Sequence, residues 1–262
     1  MKLHPEHPAV KIIRFPDGQP HIRIENPEQL PTDIDVTWRI RNPEELYLLA
    51  CLDNALFEYG LCVNNLTVPY LMAARSDRVM MPGDAFGLRV VANTLNDMSF
   101  NRLFVLDPHS AVTKERIPGA TRIEPDFLLR GLRADVLVLP DKGSRTHAEA
   151  RAEFLGTRGL VTCTKTRDLS TGKLVLTVEN PEIAIGKDVV IVDDICDGGA
   201  TFTEIARQLP GVRSLTLVVT HGIFSKGFGE LAPAFHRIVC SDSYASSYPN
   251  QPQNLTVIPC NL

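Results

Sequence analysis

The sequence predicts an α/β fold with two domains, each built on a mostly parallel sheet flanked by helices. Short runs rich in β-branched residues alternate along the 262-residue chain with longer segments of helical pattern. Such alternation is typical of parallel sheets covered by helices. The pattern restarts near residue 120, after the polar, proline-containing segment TKERIPGATRIEP. We therefore expect an N-terminal domain over 1–115 and a C-terminal domain over 116–262.

Individual elements follow from periodicity and from the turn residues that bound them. We predict strands at 11–15, 20–25, 34–40, 65–69, 102–107, 135–139, 159–163, 174–178, 188–193, 214–220, 237–241 and 255–259. We predict helices at 43–60, 84–98, 124–132, 146–156 and 200–209. The first helix has proline near its start, two glutamates in its first turn and glycine at its end, which suits both helix termini.

Composition argues against several classes of protein. The chain is 44% hydrophobic and 22% charged, with a net charge of −4 and no long basic run, which argues against nucleic-acid binding. No leader-like apolar segment and no apolar stretch of membrane-spanning length is present, so we expect a cytoplasmic protein with no membrane partner. Six cysteines without a C-x-x-C pair indicate reduced thiols rather than a zinc site or disulfides.

The stretch VVIVDDICDGGAT at 189–201 carries the clearest chemistry. A run of buried β-branched residues leads into Asp193 and Asp194, two carboxylates that repel each other unless they meet protons, a metal or hydroxyl donors. The segment Asp197, Gly198, Gly199, Ala200 and Thr201 follows and opens a helix, whose free amides favour phosphate. The whole stretch therefore indicates a ribose-phosphate site, although Asp-Asp alone would favour a strand–turn–helix connection with acidic caps.

The whole string resembles the phosphoribosyl-pyrophosphate binding motif of the type I phosphoribosyltransferase fold. Four further segments, FPDGQ, VPYLMAARSDR, LDPHS and THGIFS, are similar to segments of the ribose-phosphate pyrophosphokinase family and occur in the same order. The resemblance implies that Asp193, Asp194 and the 197–201 segment bind ribose 5-phosphate. Ala200 stands where the family has a glycine.

The resemblance also implies an ATP site. Its residues would be Phe15, Asp17, Gln19, Arg75, Ser76, Asp77 and His109. An aromatic ring can stack on adenine, and arginine forks suit triphosphate oxygens. Gln19 stands where the family has glutamate and Ser76 where it has glutamine. Taken alone, FPDGQ is equally consistent with a hairpin turn, and the arginines with a solvated charge cluster.

The segment TKTRDLSTGK at 164–173 matches the family's catalytic loop. Lys165 and Arg167 correspond to its catalytic cations, and a polar, turn-rich segment is typical of a loop that closes over substrate. His109 and Asp141 correspond to residues near Mg²⁺, the implied cofactor. His221 in THGIFS has a matching residue in the family, but its role is open to a purely structural interpretation.

The implied activity is transfer of the pyrophosphoryl group of ATP to the 1-hydroxyl of ribose 5-phosphate, with the active site in the cleft between the domains. The family resemblance also implies that Phe15 and Asp17 reach the ATP site of a neighbouring subunit, so we expect at least a homodimer. Two alternatives remain at this point. One is a nucleobase phosphoribosyltransferase of the same fold, and the other is a non-catalytic regulatory subunit that resembles the synthetase.

Overall fold

The computed structural model describes residues 1–141, 148–167 and 174–262, and of Arg167 and Leu174 the backbone only. The chain forms two compact units. One consists of Met1–Glu124 with Asn261–Leu262, and the other of Pro125–Cys260.

The first unit is built on a parallel sheet of five strands. Its strands, with those of a separate hairpin, are β1 (Lys2–Leu3), β2 (Val10–Arg14), β3 (Pro20–Ile24), β4 (Asp33–Thr37), β5 (Cys62–Val68), β6 (Phe100–Leu106) and β7 (Ala120–Ile123). The sheet has the order β1-β4-β5-β6-β7 with every neighbouring pair parallel, and β2 and β3 pair antiparallel. Parallel pairing brings the carboxyl ends of β5 and β6 to the same edge.

Helices cover this sheet at α1 (Pro43–Glu58), α2 (Gly87–Asn96) and α3 (Val112–Arg116). The start of α1 follows from its sequence, because the Asn42 side chain accepts a hydrogen bond from the Glu45 amide at 3.0 Å and proline occupies the first helical position. The leucines of α1 form its buried face and join the strands in one hydrophobic core.

The second unit contains a sheet of seven strands. They are β8 (Val136–Leu139), β9 (Gly159–Arg167), β10 (Leu174–Val178), β11 (Asp188–Cys196), β12 (Ser214–Gly222), β13 (Arg237–Ser241) and β14 (Leu255–Ile258). Their order is β10-β9-β8-β11-β12-β13-β14, and every pair is parallel except β9 with β10.

The central strand β11 is buried on both faces. Val189 and Ile191 belong to a core that includes residues of α5 (Ala200–Arg207), whereas Val190 and Val192 belong to a second core that includes residues of α4 (Ala148–Leu155). A short helix α6 (Leu231–Ala234) also packs in the first of these cores. Burial on both faces explains why this strand is a continuous apolar run.

The predicted α/β fold class is confirmed, but several local predictions are wrong. The helix expected at 124–132 is only a 3-10 turn, Asp126–Leu129, and the preceding polar stretch contains α3 and β7, neither of which was predicted. Residues 164–167, expected in a loop, continue strand β9, because alternating threonines suit an exposed antiparallel hairpin. The rest of the expected loop, 168–173, lies outside the described residues.

Candidate active site

Strand β11 carries two adjacent aspartates to the edge of the second sheet. Residues 189–192 are buried, whereas Asp193 and Asp194 are half-buried at the strand's carboxyl end. Ligands of open α/β sheets bind beyond the carboxyl ends of their strands. Both carboxylates therefore lie where such a fold places its ligand.

Asp141 approaches the same edge from the neighbouring strand. It lies two residues after β8, which pairs with β11 through Val138 and Ile191. Strand β9 lies on the other side of β8, so the strand order reverses between β8 and β11. That reversal is the switch point at which open α/β sheets form a crevice for ligand.

Three carboxylates bring negative charge to this switch point. Burial raises the pKa of Asp193 well above its ordinary value, and the negative charges of Asp194 and Asp141 raise it further. The Asp194 amide donates a hydrogen bond to Asp193 Oδ1 at 3.0 Å, which offsets only part of this effect. A cation or hydroxyl donors at this point would stabilise the ionised form.

The turn after β11 leads directly into α5. Gly199 precedes the helix with a φ of 82°, a conformation that residues with a Cβ rarely adopt. Ala200 and Thr201 form the first helical turn, in which amide groups have no acceptor within the helix. These amides and the half-buried Thr201 hydroxyl are suited to bind an anion.

A second loop, residues 223–230 between β12 and α6, lies against this turn. The amides of Ile223 and Phe224 donate to the Cys196 carbonyl at 2.9 and 3.1 Å. The Ser225 amide donates to the Asp197 carbonyl at 3.1 Å, and its hydroxyl donates to Asp197 Oδ1 at 2.6 Å. Asp197, predicted to contact ribose 5-phosphate, therefore also joins the two loops.

The glycines of the turn allow close packing against its neighbours. A Cβ on Gly198 would lie 3.2 Å from Cδ of Lys226, and a Cβ on Gly199 would lie 3.1 Å from Cδ1 of Leu231. The sequence pattern indicated that this segment opens a helix whose free amides favour phosphate. The structure adds that the missing side chains of the two glycines make room for the β12–α6 loop and α6.

His221, at the end of β12, belongs to a buried polar network. Its Nδ1 lies 2.8 Å from the Ser243 hydroxyl, and both side chains are buried. The Ser241 and Ser243 hydroxyls both donate to the Thr220 carbonyl. This packing favours the structural interpretation of His221.

In the first unit, FPDGQ forms the turn of the β2–β3 hairpin. The Phe15 amide donates to the Gln19 carbonyl at 2.9 Å, and the Asp17 carboxylate accepts from the Gln19 amide at 3.0 Å. The Phe15 ring is 47% exposed and lies 5.7 Å, centroid to centroid, from the His21 ring. The hairpin therefore presents an accessible aromatic ring.

The RSDR segment, residues 75–78, follows β5 and has both exposed and buried residues. Arg75 and Ser76 are exposed, whereas Asp77 is buried and accepts a hydrogen bond from Arg78 Nε at 3.0 Å. Burial alone would raise the pKa of Asp77, but Ser110, Arg78 and the charge of His109 outweigh it and lower that pKa. Asp77 and His109, both predicted near ATP, are therefore neighbours.

His109 follows β6 in a strained segment. Asp107 and His109 have φ values of 40° and 55°, in the left-handed region that residues with side chains seldom occupy. Asp107 is buried and accepts a hydrogen bond from Arg122 Nη2 at 2.6 Å, whereas His109 is exposed. Sequence reasoning missed the Asp107–Arg122 ion pair, because Asp107 follows β6, Arg122 lies on β7 and no motif joins them.

Lys165 lies on β9 as an exposed residue opposite Leu176 of β10. Arg167 lies two residues further along the same strand, with its backbone paired to Leu174; its side chain lies outside the described part of the structure. Both positions therefore lie on a paired strand.

The described residues form neither a ready-made metal site nor a membrane-spanning helix. Within 1–141, 148–167 and 174–262, no three His, Cys, Asp or Glu side chains are grouped to hold a metal ion. No helix formed by these residues has the length and apolar character needed to cross a membrane.

No family model matches the sequence, but whole-chain comparisons are informative. A ribose-phosphate pyrophosphokinase of Pyrococcus furiosus is 29% identical over 261 residues, covering 95% of this chain and 90% of that protein. The protein of the same name from Pyrococcus abyssi is 30% identical over 226 residues, covering 83% and 78% of the two chains. A third, from Thermococcus kodakarensis, is 29% identical over 259 residues, with 95% and 89% covered.

The fold is similar to a solved structure of known class. A phosphoribosylpyrophosphate synthetase from Mycobacterium smegmatis superimposes with a TM-score of 0.83 at 22% identity, covering 96% of this chain and 86% of that one. This likeness supports the predicted fold independently of the sequence motifs.

Proposed function

We infer that this chain, which belongs to the ribose-phosphate pyrophosphokinase family, transfers the pyrophosphoryl group of ATP to ribose 5-phosphate. The products are 5-phosphoribosyl 1-pyrophosphate and AMP. Family membership rests on the relatives described above. The structural observation that carries the proposal is the position of Asp141, Asp193 and Asp194 at the carboxyl ends of the neighbouring strands β8 and β11, at the switch point, with an amide-rich helix start following β11.

The ribose 5-phosphate site is proposed at the end of β11. Asp193 and Asp194 would accept hydrogen bonds from the 2- and 3-hydroxyls of the sugar, which relieves the repulsion that raises the pKa of Asp193. The amides of 197–201 and the Thr201 hydroxyl would bind the 5-phosphate. This arrangement orients the 1-hydroxyl as the nucleophile without any covalent bond to the protein.

ATP would be bound by residues of the first unit. Arg75 is exposed and suited to phosphate oxygens, Phe15 offers a ring for adenine, and His109 offers an imidazole for the phosphates. Asp77 would act indirectly, because its carboxylate is occupied by Arg78 and lies near His109. The remaining proposed contacts come from Asp17, Gln19 and Ser76.

The chemical step requires stabilisation of charge on the transferring group. The 1-hydroxyl oxygen attacks the β-phosphorus in line and loses its proton to water. The bond between that phosphorus and the bridging oxygen of the α-phosphate breaks, and AMP leaves with that oxygen. Lys165 and Arg167 would offset the negative charge on the equatorial oxygens.

Mg²⁺ is proposed as the cofactor. Asp141 fits this role because its carboxylate adds negative charge beside Asp193, and magnesium prefers oxygen ligands. His109 would lie nearer the nucleotide phosphates. When bound, the ion would neutralise polyphosphate charge. Because the described residues offer no ready-made group of three ligands, substrate oxygens would complete the coordination.

Phosphorus NMR of the purified protein with ribose 5-phosphate, ATP and Mg²⁺ tests the proposal. We expect AMP to form together with a pyrophosphate attached at the anomeric carbon. Consumption of phosphoribosyl pyrophosphate with a nucleobase, and none of ATP, would indicate a phosphoribosyltransferase instead. If the wild-type chain does neither, but raises the activity of a family enzyme added to it, it is a regulatory subunit.

A further inference from the structure

The β12–α6 loop forms one wall of the proposed 5-phosphate site. Hydrogen bonds from Ile223, Phe224 and Ser225 to residues 196–197 fix this loop against the turn before α5. The position of the next residue, Lys226, is therefore set relative to the same turn.

The Lys226 side chain runs along Gly198. Its Cγ, Cδ and Cε lie 3.4, 3.2 and 3.4 Å from the point that a Cβ on Gly198 would occupy. The hydrocarbon stem is thus packed against the turn, and the ammonium group is one bond beyond Cε. Lysine commonly buries its stem in this way while its charge remains accessible, and Lys226 is exposed.

The negative charges around the turn indicate a phosphate-binding role for Lys226. Three carboxylates lie within the five residues 193–197, those of Asp193, Asp194 and Asp197. Asp141 adds its negative charge at Asp193. A phosphate dianion brought to this turn meets that negative charge. A cation held beside Gly198 would offset it and donate a charge-assisted hydrogen bond.

We propose that Lys226 binds the 5-phosphate of ribose 5-phosphate. The proposal rests on the function proposed above. It adds a substrate-binding residue from outside the 189–201 stretch, one whose role is to bind the phosphate rather than to act on the reacting atoms.

Lys226→Met separates charge from packing, because methionine keeps a linear, flexible stem over Gly198 and loses the ammonium group. We expect the KM for ribose 5-phosphate to rise about tenfold or more, the size of effect expected when one charge-assisted hydrogen bond is lost. The KM for ATP should stay unchanged, and Lys226→Arg should restore most of the affinity. Lys187→Met is the matched control, since Lys187 is exposed and lies next to the opposite end of β11.

Calorimetric titration of each variant with ribose 5-phosphate, without ATP, provides a second readout. If the wild type binds ribose 5-phosphate but forms no product, the proposed activity fails, and the titration still decides the role of Lys226. If the wild type is active and Lys226→Met binds ribose 5-phosphate as tightly as Lys187→Met does, the proposal for Lys226 is overturned. A wild type that neither binds ribose 5-phosphate nor forms product overturns both.

Discussion

Asp193 and Asp188 are on the same strand but in opposite electrostatic environments. At the carboxyl end of β11, burial and two neighbouring carboxylates raise the pKa of Asp193. At the other end, hydrogen bonds from Arg213 and Ser214 lower the pKa of Asp188 to about 2. The same residue type therefore destabilises the fold at the site and stabilises it away from the site.

This contrast predicts opposite pH dependences of stability. A carboxyl with a raised pKa keeps its proton in the folded state, so folding becomes less favourable as pH rises through that pKa. Without ligand, Asp193→Asn should therefore raise the melting temperature at pH 7, and the gain should vanish at low pH. In the assay of ribose 5-phosphate turnover, the same change should lower kcat/KM about tenfold to a hundredfold, because a charged acceptor is lost.

Asp188→Asn is the control, with the opposite sign. A lowered pKa stabilises the fold above the ordinary range and loses its effect as pH falls through about 2. Asp188→Asn should lower the melting temperature at pH 7, with the loss diminishing towards pH 2. Thermal denaturation of both variants over a pH series measures the two effects. Equal responses at the two ends of β11 would contradict the assigned electrostatics.

Site residues could be predicted from the sequence where they are neighbours in one motif. Asp193, Asp194 and the 197–201 turn are adjacent in the chain, so their proximity needs no tertiary information. Lys226 could not be assigned in this way, because it approaches Gly198 only through the hydrogen bonds that join two loops. The strain at Asp107 and His109 also escaped prediction, since neither residue type requires a positive φ.

At the scale of elements, the turn between β11 and α5 depends on the conformation of Gly199. Gly199→Ala should destabilise the protein by about 1–3 kcal/mol, because it combines a positive φ with a contact 3.1 Å from Leu231. Gly186→Ala is the control, since Gly186 has a φ of 69° with no atom within 4 Å of the added Cβ.

Urea denaturation of these two variants isolates the crowding. We expect the larger loss of stability for Gly199→Ala, accompanied by weaker binding of ribose 5-phosphate, and unchanged binding for Gly186→Ala. Equal stability losses would show that backbone strain alone determines the effect and that Leu231 moves aside.

In the β9–β10 hairpin, strand β10 was predicted correctly, but the end of β9 was not. Polar composition suggested a loop from residue 164, but cross-strand pairing extends β9 through Arg167. The pairing partner is on the next strand, so a scan of local composition does not detect it. A strand holds Lys165 in a more defined direction than a loop would, which suits a residue proposed to act on the transition state.

Lys165→Met should therefore lower kcat by about a hundredfold or more while leaving both KM values nearly unchanged, as expected for an interaction made only in the transition state. Thr166→Ala is the matched control, because Thr166 is exposed on the same strand and points to the opposite face. Steady-state kinetics with both substrates measure the effect. A change confined to KM would assign Lys165 to ground-state binding instead.

At the scale of the whole molecule, the alternation of strands and helices was sufficient to predict two α/β units. It could not predict the short pieces, such as β7 and the 3-10 turn at Asp126–Leu129, because their formation depends on neighbours distant in the chain. The order of strands in the second sheet was likewise not predictable from local pattern. It is this order that places Asp141 beside Asp193.

At the scale of the assembly, we predict that Phe15 contributes to the ATP site of a neighbouring subunit in a homodimer or larger homo-oligomer. The exposed ring at the tip of the β2–β3 hairpin is available for such a contact. Phe15→Ala and Lys165→Met should each be poorly active alone. Mixed after reversible dissociation, they should recover about a quarter of wild-type activity, because half the dimers are hybrids and one site in each hybrid is intact. Sedimentation equilibrium on the mixture supplies the assembly state. A fully active monomer, or a mixture no more active than its components, would show that Phe15 serves the site of its own chain or none.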